Sequence, residues 1–189
     1  THTFNEIRLE EVPYPELKPG WAIVKTKVVQ PSVTEVQLFY GGRSNSYDKV
    51  KKALAKGPQQ LFGHEFCAEI VEVDEKNEYG LRAGDRVGAT HTHIGTIGRD
   101  FPGCFSEYAA IPLDALAKMP EGVTDWEVAA IQPLTSCIFD VTALGVTLGD
   151  TVLVFGQGVM GLNCTQVAKA AGADTVIGVD RRDDILQLA

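Results

Sequence analysis

The stretch TVLVFGQGVMG at residues 151–161 decides the fold class of this chain. Its first five residues form an apolar run, which is typical of a strand buried on both faces of a parallel sheet. A glycine-rich turn follows, and residues 159–171 then have the length and composition of a helix that Gly172 ends. The sequence therefore predicts a strand, a tight turn and a helix, which together begin an α/β layer.

The glycines of this turn have the spacing of a phosphate-binding loop. Gly156 permits the tight turn, Gly158 lets a pyrophosphate approach the backbone, and Gly161 lets the helix pack closely on the strand. The helix start at Val159 and Met160 offers free N–H groups and the positive end of the helix dipole. We therefore expect a dinucleotide to bind at this turn.

A second apolar run, residues 175–179, ends at Asp180, about 20 residues after the turn. A carboxylate there accepts hydrogen bonds from ribose hydroxyls and repels a 2′-phosphate, so the sequence favours NAD over NADP. Arg181 and Arg182 follow, and either guanidinium can stack on adenine or attract a 2′-phosphate. Because only two strands of the sheet are present, we expect an incomplete dinucleotide site and an inactive 189-residue chain.

The composition excludes several classes of function. The 189 residues carry a net charge of -8, which argues against nucleic-acid partners and anionic membrane surfaces. We see neither a leader peptide nor a long apolar stretch, so we expect a soluble, cytoplasmic protein. The cysteines form no CxxC pair and are expected to be reduced and partly buried: Cys67, Cys104, Cys137 and Cys164.

The chain changes character near residue 120. Before that point, short β-rich runs alternate with turn signals, which predicts a compact β-domain that is partly open or barrel-like. After residue 125 the pattern becomes helical and then α/β. We therefore predict a β-rich domain at residues 1–125 and an α/β domain at residues 126–189.

Three further motifs carry a resemblance to a known family: GHE at residues 63–65, GDRV at residues 84–87 and GCFSEY at residues 103–108. With the glycine-rich turn and Asp180, their order resembles the medium-chain dehydrogenase/reductase superfamily, in its zinc-type alcohol/polyol dehydrogenase branch. The resemblance implies a GroES-like catalytic domain, then the first half of a Rossmann domain, with the active site in the cleft between them. Complete members of the superfamily are almost twice as long.

The resemblance also identifies the positions of a catalytic zinc site. Members of the zinc type carry a Cys, a Ser or Thr two positions later, the His of GHE, and later a Cys, Asp or Glu. Here Ser32 replaces the Cys, Thr34 keeps the hydroxyl of the proton relay, His64 and Glu65 are intact, and Gln132 takes the last position. Ser32 and Gln132 are neutral, weak zinc ligands, so we expect no tightly bound catalytic zinc. Residues 89–102 contain no cysteine, so the structural-zinc lobe is missing.

His91 falls where the family places an aromatic residue in the substrate pocket, and three interpretations stay open. It donates a proton or a hydrogen bond to the substrate oxygen in place of the metal, or it is simply a polar residue of the pocket wall or of a loop. Alternatively, His64, Glu65 and His91 form a rearranged metal site. Without a metal, we expect Glu65 to orient His64, and the resemblance implies that Thr135 approaches the nicotinamide.

The favoured function is hydride transfer between NAD(H) and a small alcohol or carbonyl substrate, with the hydroxyl proton passing through Thr34 to His64 or His91. Two alternatives remain. One is a metal-free reductase of activated double bonds or quinones, and the other is a non-catalytic nucleotide-binding relic. The complete protein is expected to be a homo-oligomer.

Overall fold

A computed structural model describes residues 1–42, 46–90 and 92–189 of the chain. The chain divides into two compact units, Thr1–Gln132 and Pro133–Ala189. The first unit is β-rich and the second is α/β, which is the predicted fold class. The helix that follows the predicted boundary at residue 125 packs on strands of the first unit.

The first unit contains a five-stranded antiparallel sheet with the order β4-β1-β2-β3-β5. The central strand β2 is buried along most of its length, since β1 and β3 flank it and a helix covers it. The sheet leaves β4 and β5 as its edges, and β5 is a short strand that the sequence did not indicate. The strands are β1 (Trp21–Gln30), β2 (Glu65–Val73), β3 (Arg86–Ala89), β4 (Tyr108–Pro112) and β5 (Leu116–Lys118).

The described residues of the first unit also form the helices α1 (Val33–Phe39), α2 (Tyr47–Leu54) and α3 (Asp125–Ala129), and a short 3-10 helix at Leu113–Ala115. Helices α1 and α3 both begin with a capping box, in which a Ser or Thr side chain and a Glu three residues later bond each other's backbone N–H. The main hydrophobic core is formed largely by side chains of this sheet, and Phe66, Ile70 and Ile111 in it are fully buried. A smaller cluster packs α1 and α2 against Leu61 and Phe62.

The second unit contains two parallel strands, β6 (Thr151–Phe155) and β7 (Thr175–Val179), in direct register. Helix α5 (Val159–Ala170) connects them, as the sequence predicts, and α4 (Ile131–Ala143) and α6 (Asp183–Leu186) lie before and after.

The strands β6 and β7 bury one face only. Val152 and Val176 pack against the apolar side of α5, whereas Phe155 and Ile177 are exposed. The expectation of strands buried on both faces is therefore wrong for this chain, because helices cover only one face of the two-stranded sheet. None of the described helices combines the length and apolarity needed to cross a bilayer.

Candidate functional site

The start of α1 fixes a buried carboxylate. Ser32 is the N-cap, and its side-chain oxygen accepts from the Glu35 backbone N–H at 3.1 Å. The Ser32 backbone N–H in turn donates to Glu35 Oε2 at 2.9 Å. Both residues are buried. The Ser32 hydroxyl, which stands at the family's first zinc-ligand position, therefore serves as a helix cap.

Glu35 binds the GHE motif through its second oxygen. Oε1 accepts from the Gly63 backbone N–H at 2.6 Å and lies 2.7 Å from His64 Nδ1. Burial by itself raises the pKa of the Glu35 carboxyl. The hydrogen bond and charge of His64, with the N–H groups of Ser32 and Gly63, outweigh burial and bring the pKa below its ordinary value. Glu35 is therefore an ionised partner that holds the imidazole by Nδ1.

The backbone around His64 is held in a conformation that requires glycine. Gly63 has a φ of 81°, and a Cβ there would lie 2.4 Å from the Phe105 backbone nitrogen. Cys104 N–H donates to the Gly63 carbonyl at 2.9 Å. The segment of residues 103–105, part of the third motif, therefore fixes the position of His64.

A second carboxylate flanks the other imidazole nitrogen. Glu65 Oε1 lies 3.8 Å from His64 Nε2, and its other oxygen accepts from Gln30 Nε2 at 2.5 Å. Burial raises the pKa of Glu65, against the lowering effects of Gln30 and His64. If Nδ1 carries the proton that Glu35 accepts, Nε2 of a neutral imidazole is free to act as an acceptor.

His64 lines a cavity of about 250 Å³ in the first unit. Its polar lining consists of three threonines, one imidazole, one guanidinium and one amide: Thr90, Thr92, Thr96, His64, Arg99 and Gln132. Of the predicted site residues, the pocket thus brings together His64 and Gln132. Thr34 lies half-buried on α1 and is not part of this lining. The prediction for His91 lies outside the described residues.

The residues at the family's zinc positions fit a zinc ion poorly. The Ser32 hydroxyl caps α1 and Gln132 offers a neutral amide, so His64 alone among these positions carries a usual zinc ligand. In the described part of the chain, no three His, Cys, Asp or Glu side chains are grouped as metal ligands. A dication held by two neutral oxygens and one imidazole lacks the charge that zinc sites normally supply.

The glycine-rich turn of the second unit is built by its backbone. Gly156 has a φ of 86°, and a Cβ on Gly161 would lie 1.8 Å from the Gly156 carbonyl oxygen. Gly158 is the N-cap of α5 and has open space where a Cβ would point. Val159 and Met160 begin the helix and are exposed. This geometry offers a cradle for an anionic group at the helix start.

The Asp180 carboxylate is bonded to the turn. Its oxygens accept from the Gln157 backbone N–H at 2.7 Å and the Arg182 N–H at 3.0 Å. These backbone bonds, Gln157 first, lower the pKa of Asp180. Arg181 is exposed beside it, and Thr135 lies half-buried on α4. The roles of Asp180, Arg181 and Thr135 toward a cofactor stay predictions.

Sequence reasoning missed three residues that organise these sites. Glu35 was signalled by the S-x-x-E capping pattern at residues 32–35, although the pattern does not show that the Glu also reaches His64. Gln157 is fully buried and bonds Thr165 and the Val154 carbonyl from inside the turn. Arg99, which lines the pocket, stands in no motif.

Comparisons with known proteins match one family model within the first unit and several relatives along nearly the whole chain. The alcohol dehydrogenase GroES-like domain family matches residues 18–121. L-threonine 3-dehydrogenase from Bacillus licheniformis is 33% identical over 95% of this chain and 55% of its own length. (R,R)-butanediol dehydrogenase from Bacillus subtilis is 30% identical over 95% of this chain and 56% of its own length.

Solved structures that resemble this chain are also dehydrogenases by name. The 2R,3R-butanediol dehydrogenase structure from Bacillus subtilis has a TM-score of 0.81 at 28% identity and covers 99% of this chain and 58% of that chain. An Escherichia coli alcohol dehydrogenase complexed with NADH has a TM-score of 0.79 at 28% identity, over 97% of this chain and 56% of that chain. The chain spans about half the length of the curated relatives it matches.

Proposed function

We propose a function for this chain, which belongs to the alcohol dehydrogenase GroES-like domain family, in the alcohol/polyol branch of the medium-chain dehydrogenase/reductase superfamily. The protein transfers hydride between NAD(H) and a small alcohol or carbonyl compound. The observation that carries this proposal is that His64 lies on the wall of a polar pocket and is held there by the buried Glu35. Threonine and butanediol, which the names of two relatives contain, are the first substrates to test.

His64 acts as the base for the substrate hydroxyl. A neutral imidazole whose Nδ1–H is held by Glu35 presents Nε2 as a proton acceptor. Glu35 stabilises the imidazolium that forms, because its charge lies 2.7 Å from Nδ1. Thr34, next to Glu35 on α1, relays the proton when the hydroxyl does not reach Nε2 directly. His91 is the alternative base.

The glycine-rich turn holds the cofactor. A bound nicotinamide dinucleotide supplies the hydride acceptor in oxidation and the hydride donor in reduction. Gly158 leaves open space above the backbone, and the α5 start offers N–H groups to the pyrophosphate. Asp180 favours NAD over NADP because its carboxylate repels a 2′-phosphate.

The reaction proceeds without tightly bound zinc. The support is the donor set described above, in which Ser32 is a helix cap and Gln132 is neutral. Hydrogen bonds stabilise a developing alkoxide less than a metal ion does, so we expect an activated substrate or slow turnover.

The test uses the full-length protein with NAD⁺ or NADP⁺ and a panel that contains butane-2,3-diol, L-threonine and simple secondary alcohols. Alcohol-dependent NADH formation that His64→Ala abolishes is the expected result. The same neutral zinc positions also suit a metal-free reductase. Oxidation of NADH by enones or quinones, with no turnover of alcohols, would replace the dehydrogenase proposal by that reductase. Nucleotide binding without turnover of any compound would indicate a relic.

A further inference from the structure

Arg99 lies in the pocket wall, and one of its hydrogen-bond donors is buried without a partner among the described residues. Its Nη1 donates to Ser46 Oγ at 3.0 Å. Its Nε is buried and has no hydrogen-bond partner among the described residues. Buried donors are nearly always paired in folded proteins, so an unpaired one in a pocket wall calls for an explanation.

Two carboxylates, those of Glu35 and Asp100, lie close enough for their charge to act on Arg99, and both are already bound to other groups. Glu35 accepts from Ser32, Gly63 and His64. Asp100 pairs with Lys49 and accepts from the Thr96 N–H at 2.8 Å. Burial lowers the pKa of Arg99, against the opposing effect of Glu35 and Asp100. The guanidinium is therefore partly desolvated without a direct ion pair in the described part of the chain.

The surrounding wall is polar and held in place. Thr92 donates to Asp114 at 2.7 Å, and Thr96 is tied to Asp100 through its backbone. His64 lines the same cavity of about 250 Å³, which suits a small molecule. A guanidinium presents Nε and one Nη as a parallel pair of donors, and this fork matches the two oxygens of a carboxylate or phosphate.

We propose that the pocket selects hydroxy compounds that also carry an oxyanion, either a carboxylate or a phosphate, and that Arg99 binds this anionic group. This inference rests on the proposed dehydrogenase function, because His64 serves the hydroxyl of the same molecule. Arg99 then determines specificity through ground-state binding and leaves the chemical step to His64.

The test compares ligands that differ only in the anionic group. Binding of 3-hydroxybutyrate and butan-2-ol, and of glycerol 1-phosphate and glycerol, is measured by NMR titration of the purified protein. The variants are Arg99→Gln, Arg99→Lys and, as a control on an exposed arginine outside the pocket, Arg82→Gln. We expect the wild type to bind one anionic ligand at least about tenfold more tightly than its neutral partner.

Arg99→Gln should remove this difference, and the dispersion of its amide NMR signals, compared with that of the wild type, shows whether the variant is folded. Arg99→Lys should restore part of it, because the charge returns without the fork. In turnover assays Arg99→Gln should raise the KM of the anionic substrate by about tenfold or more at nearly constant kcat. A difference between 3-hydroxybutyrate and butan-2-ol identifies the anionic group as a carboxylate, and a difference between glycerol 1-phosphate and glycerol identifies it as a phosphate.

The proposal would be overturned if the wild type and Arg99→Gln bound the anionic ligand with equal affinity. So would an equal loss of kcat for anionic and neutral alcohols, which would make Arg99 a general electrostatic group. Failure of the dehydrogenase proposal is distinguishable, because no variant would then turn over any alcohol while the binding difference remained.

Discussion

The pocket of the first unit and the glycine-rich turn of the second unit are built from different parts of the chain. In the pocket, ionisable side chains do the positioning, and His64 is held by the buried Glu35. In the turn, backbone conformation and close approach decide the shape, through Gly156 and Gly161. A change of charge at Glu35 should therefore disturb the first site, and a change of volume at Gly161 the second.

The sharpest test of this contrast in the second unit compares Gly161→Ala with Gly158→Ala. A methyl group on Gly161 meets the Gly156 carbonyl oxygen at 1.8 Å, so the turn must move. We expect Gly161→Ala to destabilise the second unit by about 3 kcal/mol or more. Gly158→Ala meets open space at an ordinary φ of -67°, so it should keep the stability and weaken only NAD binding. Thermal unfolding and NADH fluorescence titration measure both effects.

Glu35→Gln should disturb the first site strongly. Loss of the charge removes the partner that stabilises an imidazolium, and we expect turnover to fall by about 100-fold. The matched control is Glu127→Gln, since Glu127 closes the exposed capping box of α3. The control should keep its turnover. Steady-state kinetics with NAD⁺ would contradict the account if both variants lost activity equally.

Asp180 combines both features, because its charged side chain holds the backbone of the glycine-rich turn. Asp180→Asn keeps most of the shape and removes the charge. We expect the preference for NADH over NADPH to fall by about tenfold, measured as the ratio of the two dissociation constants. An unchanged ratio would mean that Asp180 only supports the turn.

The smallest effect concerns buried thiols and pH. Burial raises the pKa of Cys104 to about 12, from an ordinary value of 9.0. Stability from this thiol is therefore complete below about pH 9 and is lost as the pH rises toward 12, because the unfolded chain ionises first. Urea unfolding at pH 8 and pH 10 should differ by about 1 kcal/mol more in the wild type than in Cys104→Ala. Equal differences would contradict the assignment.

The sequence predicted the second unit closely because its signals are local. The apolar run, the glycine spacing and the stop at Gly172 give β6, the turn and α5 within a residue or two. Burial was less predictable. Whether Phe155 is covered depends on what packs on the sheet, and a strand's own residues do not specify that.

The pocket was predictable only in part, because its contacts join residues far apart in the chain. GHE and Gln132 were found through the family resemblance. The partner of His64, however, lies 29 residues earlier, and Arg99 meets the pocket from a loop without a motif. The helix α2 was also missed as an element.

The most direct test of the central claim measures the zinc content and the NAD-dependent turnover of the full-length protein before and after treatment with a chelator. We expect far less than one zinc per chain and a turnover that chelation leaves unchanged. One tightly bound zinc per chain, with activity that is lost on chelation and restored by zinc, would contradict it.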